Sequence, residues 1–252
     1  MIKFIRLGIG ATLLAAAQLS NASIAEVHLS NISLSASGGE WWYWLPSNET
    51  WLPKTSSTEA ALVNPALSAA VPLTWHGNPL DSTVTDGNGF ASASITPTTA
   101  GDLNGTSASV KVDANDGQSG WAFANIFDGY VMIGGGATFT VSAILNTISA
   151  SGSMSQANAT IELCGTDFTT DVCEFENYAE AFVDATSGAY TGPSTLAASW
   201  TNPGETTWIK MRLGLSASAN SDEVIANVSE PGTLALTLLG LLGLVAGRRR
   251  TA

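Results

Sequence analysis

The chain has 252 residues, of which 45% are apolar, and 21 acidic residues against 9 basic ones give a net charge of −12. A chain of this length buries a full hydrophobic core, which excludes a disulfide-dependent miniprotein, and eight Trp and eight Phe exclude a long acidic disordered segment. The acidic balance argues against a nucleic-acid partner, because phosphate binding requires a basic surface.

Residues 1–25 are typical of a secretory signal peptide. Lys3 and Arg6 precede an 11-residue apolar run at 7–17. Small residues then occupy the −3 and −1 positions of two cleavage points, one after Ala22 and one after Ala25. The apolar run is too short to span a bilayer, so we expect cleavage rather than an uncleaved anchor helix.

The aromatic run that follows is the densest unusual feature of the sequence. It consists of Trp41, Trp42, Tyr43 and Trp44, with Trp51 a few residues further on. In a strand, alternate residues face opposite sides, so this run forms two aromatic faces. One face exposed to solvent would stack on sugar rings, whereas a strand buried on both faces would belong to the core. Both interpretations stay open.

Short segments with period-two alternation of apolar and polar residues predict β-strands in the rest of the chain. These segments are 107–112, 121–127, 138–145, 159–164, 178–183 and 206–215. Turn clusters rich in Gly, Asn, Asp and Ser separate them, for example at 134–136. The pattern predicts an all-β protein, an antiparallel β-sandwich or jelly roll.

We expect the β-sandwich domain to occupy residues 80–222. Residues 26–79 would form an aromatic-rich N-terminal segment that adds edge strands or an irregular lobe, with one short helix at 59–70. Between Glu26 and Glu230 there are four basic residues and all 21 acidic ones, a net charge of −17. Such a surface repels anionic glycans and nucleic acids and attracts divalent cations.

Cys164 and Cys173 are the only cysteines. An even pair normally forms a disulfide in the oxidising compartment that a signal peptide implies. The two cysteines bracket a short link between two predicted strands, so we expect a disulfide across a hairpin, worth about 2–3 kcal/mol. A redox or metal pair is the alternative, but the CxxC spacing and neighbouring histidines that would indicate it are missing.

The sequence predicts no catalytic residue and no resident cofactor. Neither His28 nor His76 has a neighbour that marks a nucleophile, although a hydrolase using His76 or paired carboxylates stays a third hypothesis. Calcium is the open alternative among cofactors, because the segments 86–89 and 113–117 place oxygen ligands on turns. Asp102, Asn104 and Asp113 match positions 1, 3 and 12 of an EF-hand loop, but Ser107 replaces its glycine. Asp-Gly and Asn-Gly pairs also form ordinary hairpin turns.

The C-terminal sequence predicts a membrane-spanning helix that is followed by a short basic segment in the cytoplasm. Residues 231–247 are a 17-residue apolar stretch, about 25 Å long as a helix, which is near the lower limit for crossing a bilayer. The three arginines that follow hold the C-terminus in the cytoplasm.

This end also resembles the PEP-CTERM sorting tail of Gram-negative bacteria, over about residues 228–252. An acidic-Pro-small-Thr entry, a Leu/Gly/Ala helix and a basic end carry the resemblance: Glu230, Pro231, Gly232, Thr233, Arg248, Arg249 and Arg250. Ser229 stands where the motif has its first proline. The resemblance implies processing by an exosortase, a membrane enzyme that recognises this region and removes the helix. A plain C-terminal membrane anchor is the alternative.

These features together predict an exported, non-enzymatic surface or extracellular-matrix protein of a Gram-negative bacterium. The inner membrane would hold it transiently, and after processing it would reach the cell surface or the medium. Expected partners are an exosortase-type enzyme and extracellular polysaccharide, with no nucleic acid. The alternative is a secreted carbohydrate-binding module that uses the aromatics from Trp41 to Trp51, with or without calcium.

Overall fold

A computed structural model describes residues 22–43, 55–87, 89–115, 117–166, 173–187 and 189–221, and for residue 166 and residues 173–176 only the backbone. These residues form thirteen strands and no helix. The strands are β1 (Ser23–Ser37), β2 (Trp41–Tyr43), β3 (Ser56–Val63), β4 (Leu67–Thr74), β5 (Leu80–Asp86), β6 (Gly89–Thr96), β7 (Ser107–Ala114), β8 (Ser119–Ile133), β9 (Thr138–Ser151), β10 (Met154–Thr166), β11 (Cys173–Asp184), β12 (Thr195–Thr201) and β13 (Thr207–Asn220).

The strands form two sheets. The first has the order β12-β9-β1-β7-β6-β5, and the second has the order β11-β10-β13-β8-β3-β4, with β2 also paired to β8. Every pairing between the described strands is antiparallel. The prediction of an all-β protein with antiparallel sheets is confirmed, and each predicted strand lies in or overlaps a longer observed one.

One hydrophobic core fills the space between the sheets. β7 of the first sheet packs on β8 and β13 of the second, and β1 packs on β10 and β13. Along most strands buried and accessible residues alternate, because successive side chains point to opposite faces. The largest fully buried side chains come from both sheets and include Phe127, Phe139 and Leu29.

The predicted helix at 59–70 is wrong. This segment belongs to a hairpin in which β3 pairs with β4 through a turn at 64–66. Thr58, Ala60 and Leu62 are buried at alternate positions, as one face of a strand requires. Pro65 stands in the middle of the segment, and a proline inside a helix removes a hydrogen bond and clashes with the preceding turn.

Residues 26–79 contribute strands to both sheets. β1 lies between β7 and β9, and is thus an interior strand rather than an edge strand. Its buried residues Ala25, Val27 and Leu29 alternate with polar ones, the same period-two pattern that predicts strands elsewhere in the chain. The first sheet is therefore built around the segment closest to the N-terminus.

Within the described part of the chain, no helix has the length and apolarity needed to cross a membrane. The predicted tail at 228–252, and the predicted signal peptide apart from residues 22–25, lie outside the described residues.

Candidate functional site

The aromatic run at 41–43 contributes mainly to packing. It forms β2, which pairs with the end of β8. Trp41 and Tyr43 are half-buried against the core, where the Trp41 ring centroid lies 5.1 Å from that of Phe139. The Trp42 side chain is 43% exposed. Of the three aromatics described here, Trp42 therefore has the most accessible ring. The other two aromatics predicted to contact a glycan, Trp44 and Trp51, lie outside the described residues.

His76 is enclosed by aromatic rings. Its centroid lies 4.2 Å from that of Tyr43, 4.1 Å from that of Trp75 and 5.3 Å from that of Phe127, and the residue is 1% exposed. Nδ1 lies 3.2 Å from the hydroxyl of Thr55. Burial lowers the pKa of His76 to about 4, against a smaller opposing effect of the Asp102 carboxylate, so the imidazole is neutral at pH 7. This enclosure favours a packing role over contact with a substrate.

Three of the acidic residues proposed as calcium ligands accept hydrogen bonds from nearby side chains or backbone, while Asp116 and Asn88 of the proposed segments lie outside the described residues. An oxygen of Asp86 accepts a hydrogen bond from Gln118 (3.0 Å), and an oxygen of Asp102 accepts from the backbone N–H of Asn104 (2.9 Å) and from its side chain (3.0 Å). Asp113 accepts from a neighbouring asparagine at 3.2 Å. Nowhere in the described ranges do three or more His, Cys, Asp or Glu side chains converge as they would around a metal ion.

Cys164 lies near the end of β10 and is disulfide-bonded and buried. The sequence contains one other cysteine, Cys173, which begins the neighbouring strand β11. The backbone register of the two strands places Cys173 opposite Thr166, two residues from Cys164.

A groove that the sequence does not predict lies on the outer face of the second sheet. Trp121 and Phe123 of β8 form one wall, and Phe182 of β11 forms the other. Their side chains are 38%, 41% and 43% exposed. Two strands separate the walls, β13 and β10, and these supply the floor.

The strand register fixes the arrangement of this groove. Phe123 is paired with Ser216, Ser216 with Asn158, and Asn158 with Phe182, so these four residues form one row across the sheet. The next row begins with Trp121 and continues through Ser218 and Gln156. With strands about 4.8 Å apart, the backbones of the two walls are about 14 Å apart. The groove encloses about 410 Å³.

The lining of the groove combines aromatic walls with a neutral polar floor. Ser216 and Ser218 supply hydroxyls, and Gln156 and Asn158 supply amides. The Asn158 amide nitrogen donates a hydrogen bond of 2.9 Å to Glu180, which fixes the amide on the floor. No basic residue lines the groove.

The basic residues with described side chains interact elsewhere. Lys111 and Glu26 both lie in the first sheet, where Nζ of Lys111 is 3.6 Å from a carboxylate oxygen of Glu26. Nζ of Lys210 lies 5.9 Å from the centroid of the Tyr130 ring. Arg212 bonds Glu162 at 3.1 Å and lies 3.7 Å from Asp128.

The aromatic walls face outward because small residues occupy the inner face of the same strands. Most of the inward positions that alternate with the groove residues are buried alanines, with Leu215, Val183 and Ser155 among the exceptions. The alanines are Ala122, Ala124, Ala157, Ala159, Ala181, Ala217 and Ala219. A signal for this site is thus present in the sequence, since in β8 an aromatic–alanine alternation makes both faces apolar. The alternation predicts the strand at 121–127, but it does not say which of two apolar faces points inward.

No model of a protein family, no curated protein and no solved structure matches this chain.

Proposed function

We propose that this chain is an exported, non-enzymatic β-sandwich protein of the surface or extracellular matrix of a Gram-negative bacterium. The inner membrane would anchor it first through residues 231–247, and an exosortase-type enzyme would then process it near Glu230 and Pro231. Its role would be structural or adhesive.

One observation carries this proposal. The described strands begin at Ser23 and end at Asn220, so they lie between the segment with the features of a signal peptide and the segment that resembles a sorting tail. Removing both segments, at Ala22 and near Glu230, would leave every described strand complete. Two processing steps require that the sorting signals lie outside the strands in this way.

Two further observations support export without enzymatic activity. Cys164 is disulfide-bonded, and disulfides persist mainly in oxidising compartments outside the cytoplasm. His76, the histidine considered as a general base, is enclosed by three aromatic rings. A general base must reach the proton that it abstracts, and this enclosure disfavours a hydrolase that uses His76.

Intact-mass analysis of the native protein, from culture medium and from membranes, tests the proposal. We expect the secreted form to lack the signal peptide and residues C-terminal to the region around Pro231. A Pro231→Ala variant should accumulate in the membrane fraction with its tail retained, whereas a Pro203→Ala variant in the turn before β13 should be processed as the wild type is. Retention of the tail in all forms would indicate a plain anchor. A folded cytosolic protein with both termini intact would refute export.

A further inference from the structure

We propose that the groove bounded by Trp121, Phe123 and Phe182 is a binding site for a neutral oligosaccharide chain. The inference goes beyond the proposed function and does not depend on export, since it concerns the folded sheet alone. It also differs from the aromatic run at 41–51, because the residues come from β8, β10, β11 and β13.

The walls offer the apolar surfaces on which sugars stack. Large aromatic side chains that stay accessible together on one sheet face are uncommon in a chain with a well-filled core, and such patches mark binding sites. Trp121 and Phe123 are two residues apart on the same strand, so their side chains follow one another along β8 at a spacing of about 7 Å. A wall of this kind runs along the strand and suits an extended ligand better than a compact one.

The floor of the groove supplies the hydrogen-bonding groups that the aromatic walls lack. A sugar presents apolar C–H faces and a rim of hydroxyls, each of which both donates and accepts hydrogen bonds. Serine hydroxyls and amide groups also do both, and Ser216 and Gln156 are exposed at the base of the groove. The ligand would therefore stack between the walls and bond to the floor, as ligand sites combine apolar walls with a few placed polar groups.

The charges near the groove select a neutral ligand. The lining holds no Lys or Arg to bind an acidic sugar, and the net charge of −17 between Glu26 and Glu230 repels polyanions. Two carboxylates of β11, paired with Thr160 and Gln156 of the floor strand β10, accept internal hydrogen bonds. Glu180 accepts from Asn158, and one oxygen of Asp184 accepts hydrogen bonds from Thr186 and Ser187. No carboxylate lines the groove either, so the lining itself holds no charge that would bind an ion of either sign. The like charge of two copies disfavours self-association on this face.

Affinity electrophoresis in native gels tests the site. The full-length chain, kept in a non-ionic detergent without a sugar headgroup, would be run through gels that contain a mixed-linkage β-glucan, a xylan, a galactomannan, dextran or, as the acidic comparison, alginate. We expect at least one neutral polysaccharide to retard the protein and alginate not to. Trp121→Ala and Phe182→Ala should each weaken the retardation about tenfold, because a stacked aromatic face is lost.

Two control variants show whether retardation depends on the groove itself. Trp42→Ala removes an equally exposed aromatic from β2 and should bind as the wild type does. Ser216→Tyr keeps both walls but fills the floor, and it should abolish retardation while leaving the thermal midpoint within a few degrees of that of the wild type.

Three results would overturn the proposal. The first is that no neutral polysaccharide in the panel retards the protein. The second is that the affinity pattern is wrong: Trp121→Ala and Phe182→Ala bind like the wild type, or alginate binds more tightly than the neutral polysaccharides do. The third is concentration-dependent dimerisation that Trp121→Ala abolishes, which would make this face an interface between copies.

Discussion

At the scale of single residues, His76 illustrates how burial changes the chemistry of a side chain. A loop histidine beside a tryptophan is compatible with catalysis and with packing, and the neighbours in space decide between them. Tyr43, Trp75 and Phe127 surround the ring, so its positive form is disfavoured and its pKa falls to about 4. Burial likewise raises the pKa of the Tyr43 hydroxyl above its ordinary value.

The depressed pKa of His76 predicts a loss of stability in mild acid. Above pH 6.5 the histidine is neutral in both states. As the pH falls from 6.5 to about 4, the unfolded chain binds a proton that the folded chain does not, so the free energy of unfolding falls by up to about 3 kcal/mol. Denaturant unfolding at pH 7.5 and pH 4.5 would measure this loss.

A His76→Phe variant is the matched control, because it keeps a ring in the aromatic cluster without a titrating group. The variant should lose less stability between the two pH values than the wild type, whereas a His28→Phe variant should follow the wild type. Parallel curves for the wild type and His76→Phe would contradict a buried neutral histidine.

At the scale of elements, β1 bears on which of the two predicted cleavage points of the proposed signal peptide is used. The Ser23 hydroxyl donates to the backbone oxygen of Asn220 at 2.9 Å and accepts from the backbone N–H of Ser153 at 3.2 Å. Ser23 is paired with Ala114, and Ala25 is fully buried. Cleavage after Ala25 would remove these contacts, whereas cleavage after Ala22 keeps β1 whole.

We therefore expect the mature protein to begin at Ser23. N-terminal sequencing of the secreted form would check this. An Ala22→Asp substitution should block or displace cleavage, while Ala25→Asp should leave the position of cleavage unchanged and destabilise the fold, because it buries a charge. A mature N-terminus at Glu26 in the wild type would contradict the expectation.

The junction of β10 and β11 supports a second prediction at this scale. Cys164 is bonded and buried, and the short segment to Cys173 closes a small loop. Opening such a loop costs about 2–3 kcal/mol of stability, chiefly because the unfolded chain gains freedom. Cys164→Ala and Cys173→Ala should each lower the free energy of unfolding by this amount, and the double variant by no more than either single one. Free-thiol counting on the wild type is the control, and additive losses would mean that the two cysteines are not partners.

At the scale of the whole molecule, the main feature is the excess of negative charge. Between Glu26 and Glu230 there are four basic residues and 21 acidic ones, so the negative charges of the folded chain repel one another. Salt screens this repulsion, with a Debye length of about 10 Å at 0.1 M. The hydrophobic core must therefore offset the repulsion between surface charges that are mostly negative. This net charge favours solubility and lowers the free energy of unfolding.

Raising NaCl from 10 to 300 mM should therefore raise the thermal midpoint by a few degrees. CaCl₂ at matched ionic strength should raise it by the same amount if screening alone acts, because the acids at the turns already accept hydrogen bonds. An additional rise with calcium that Asp113→Asn removes would instead indicate a calcium site at the 113–117 turn. Differential scanning calorimetry would measure these shifts.

Local sequence patterns are sufficient to predict part of this fold. Alternation over 138–145 and 206–215 is sufficient to predict β9 and β13, because the period of side-chain direction in a strand is two. The same rule applies to β1, although its overlap with the predicted signal peptide obscures the pattern. In the 59–70 segment alanine and leucine favour a helix, but the turn at Pro65 together with pairing to β8 overrides that preference.

By itself, the sequence determined the all-β class, the positions of six of the thirteen strands and the acidic character of the surface. Only the tertiary structure decided which face is buried in a strand whose two faces are both apolar. In β8 both faces are apolar, and the face with Ala122 and Ala124 is the one that is buried between the two sheets. Trp121 and Phe123 are left outside, where Phe182 joins them from a strand about sixty residues away. Alternation is local, whereas the choice between faces depends on partners that only folding brings together.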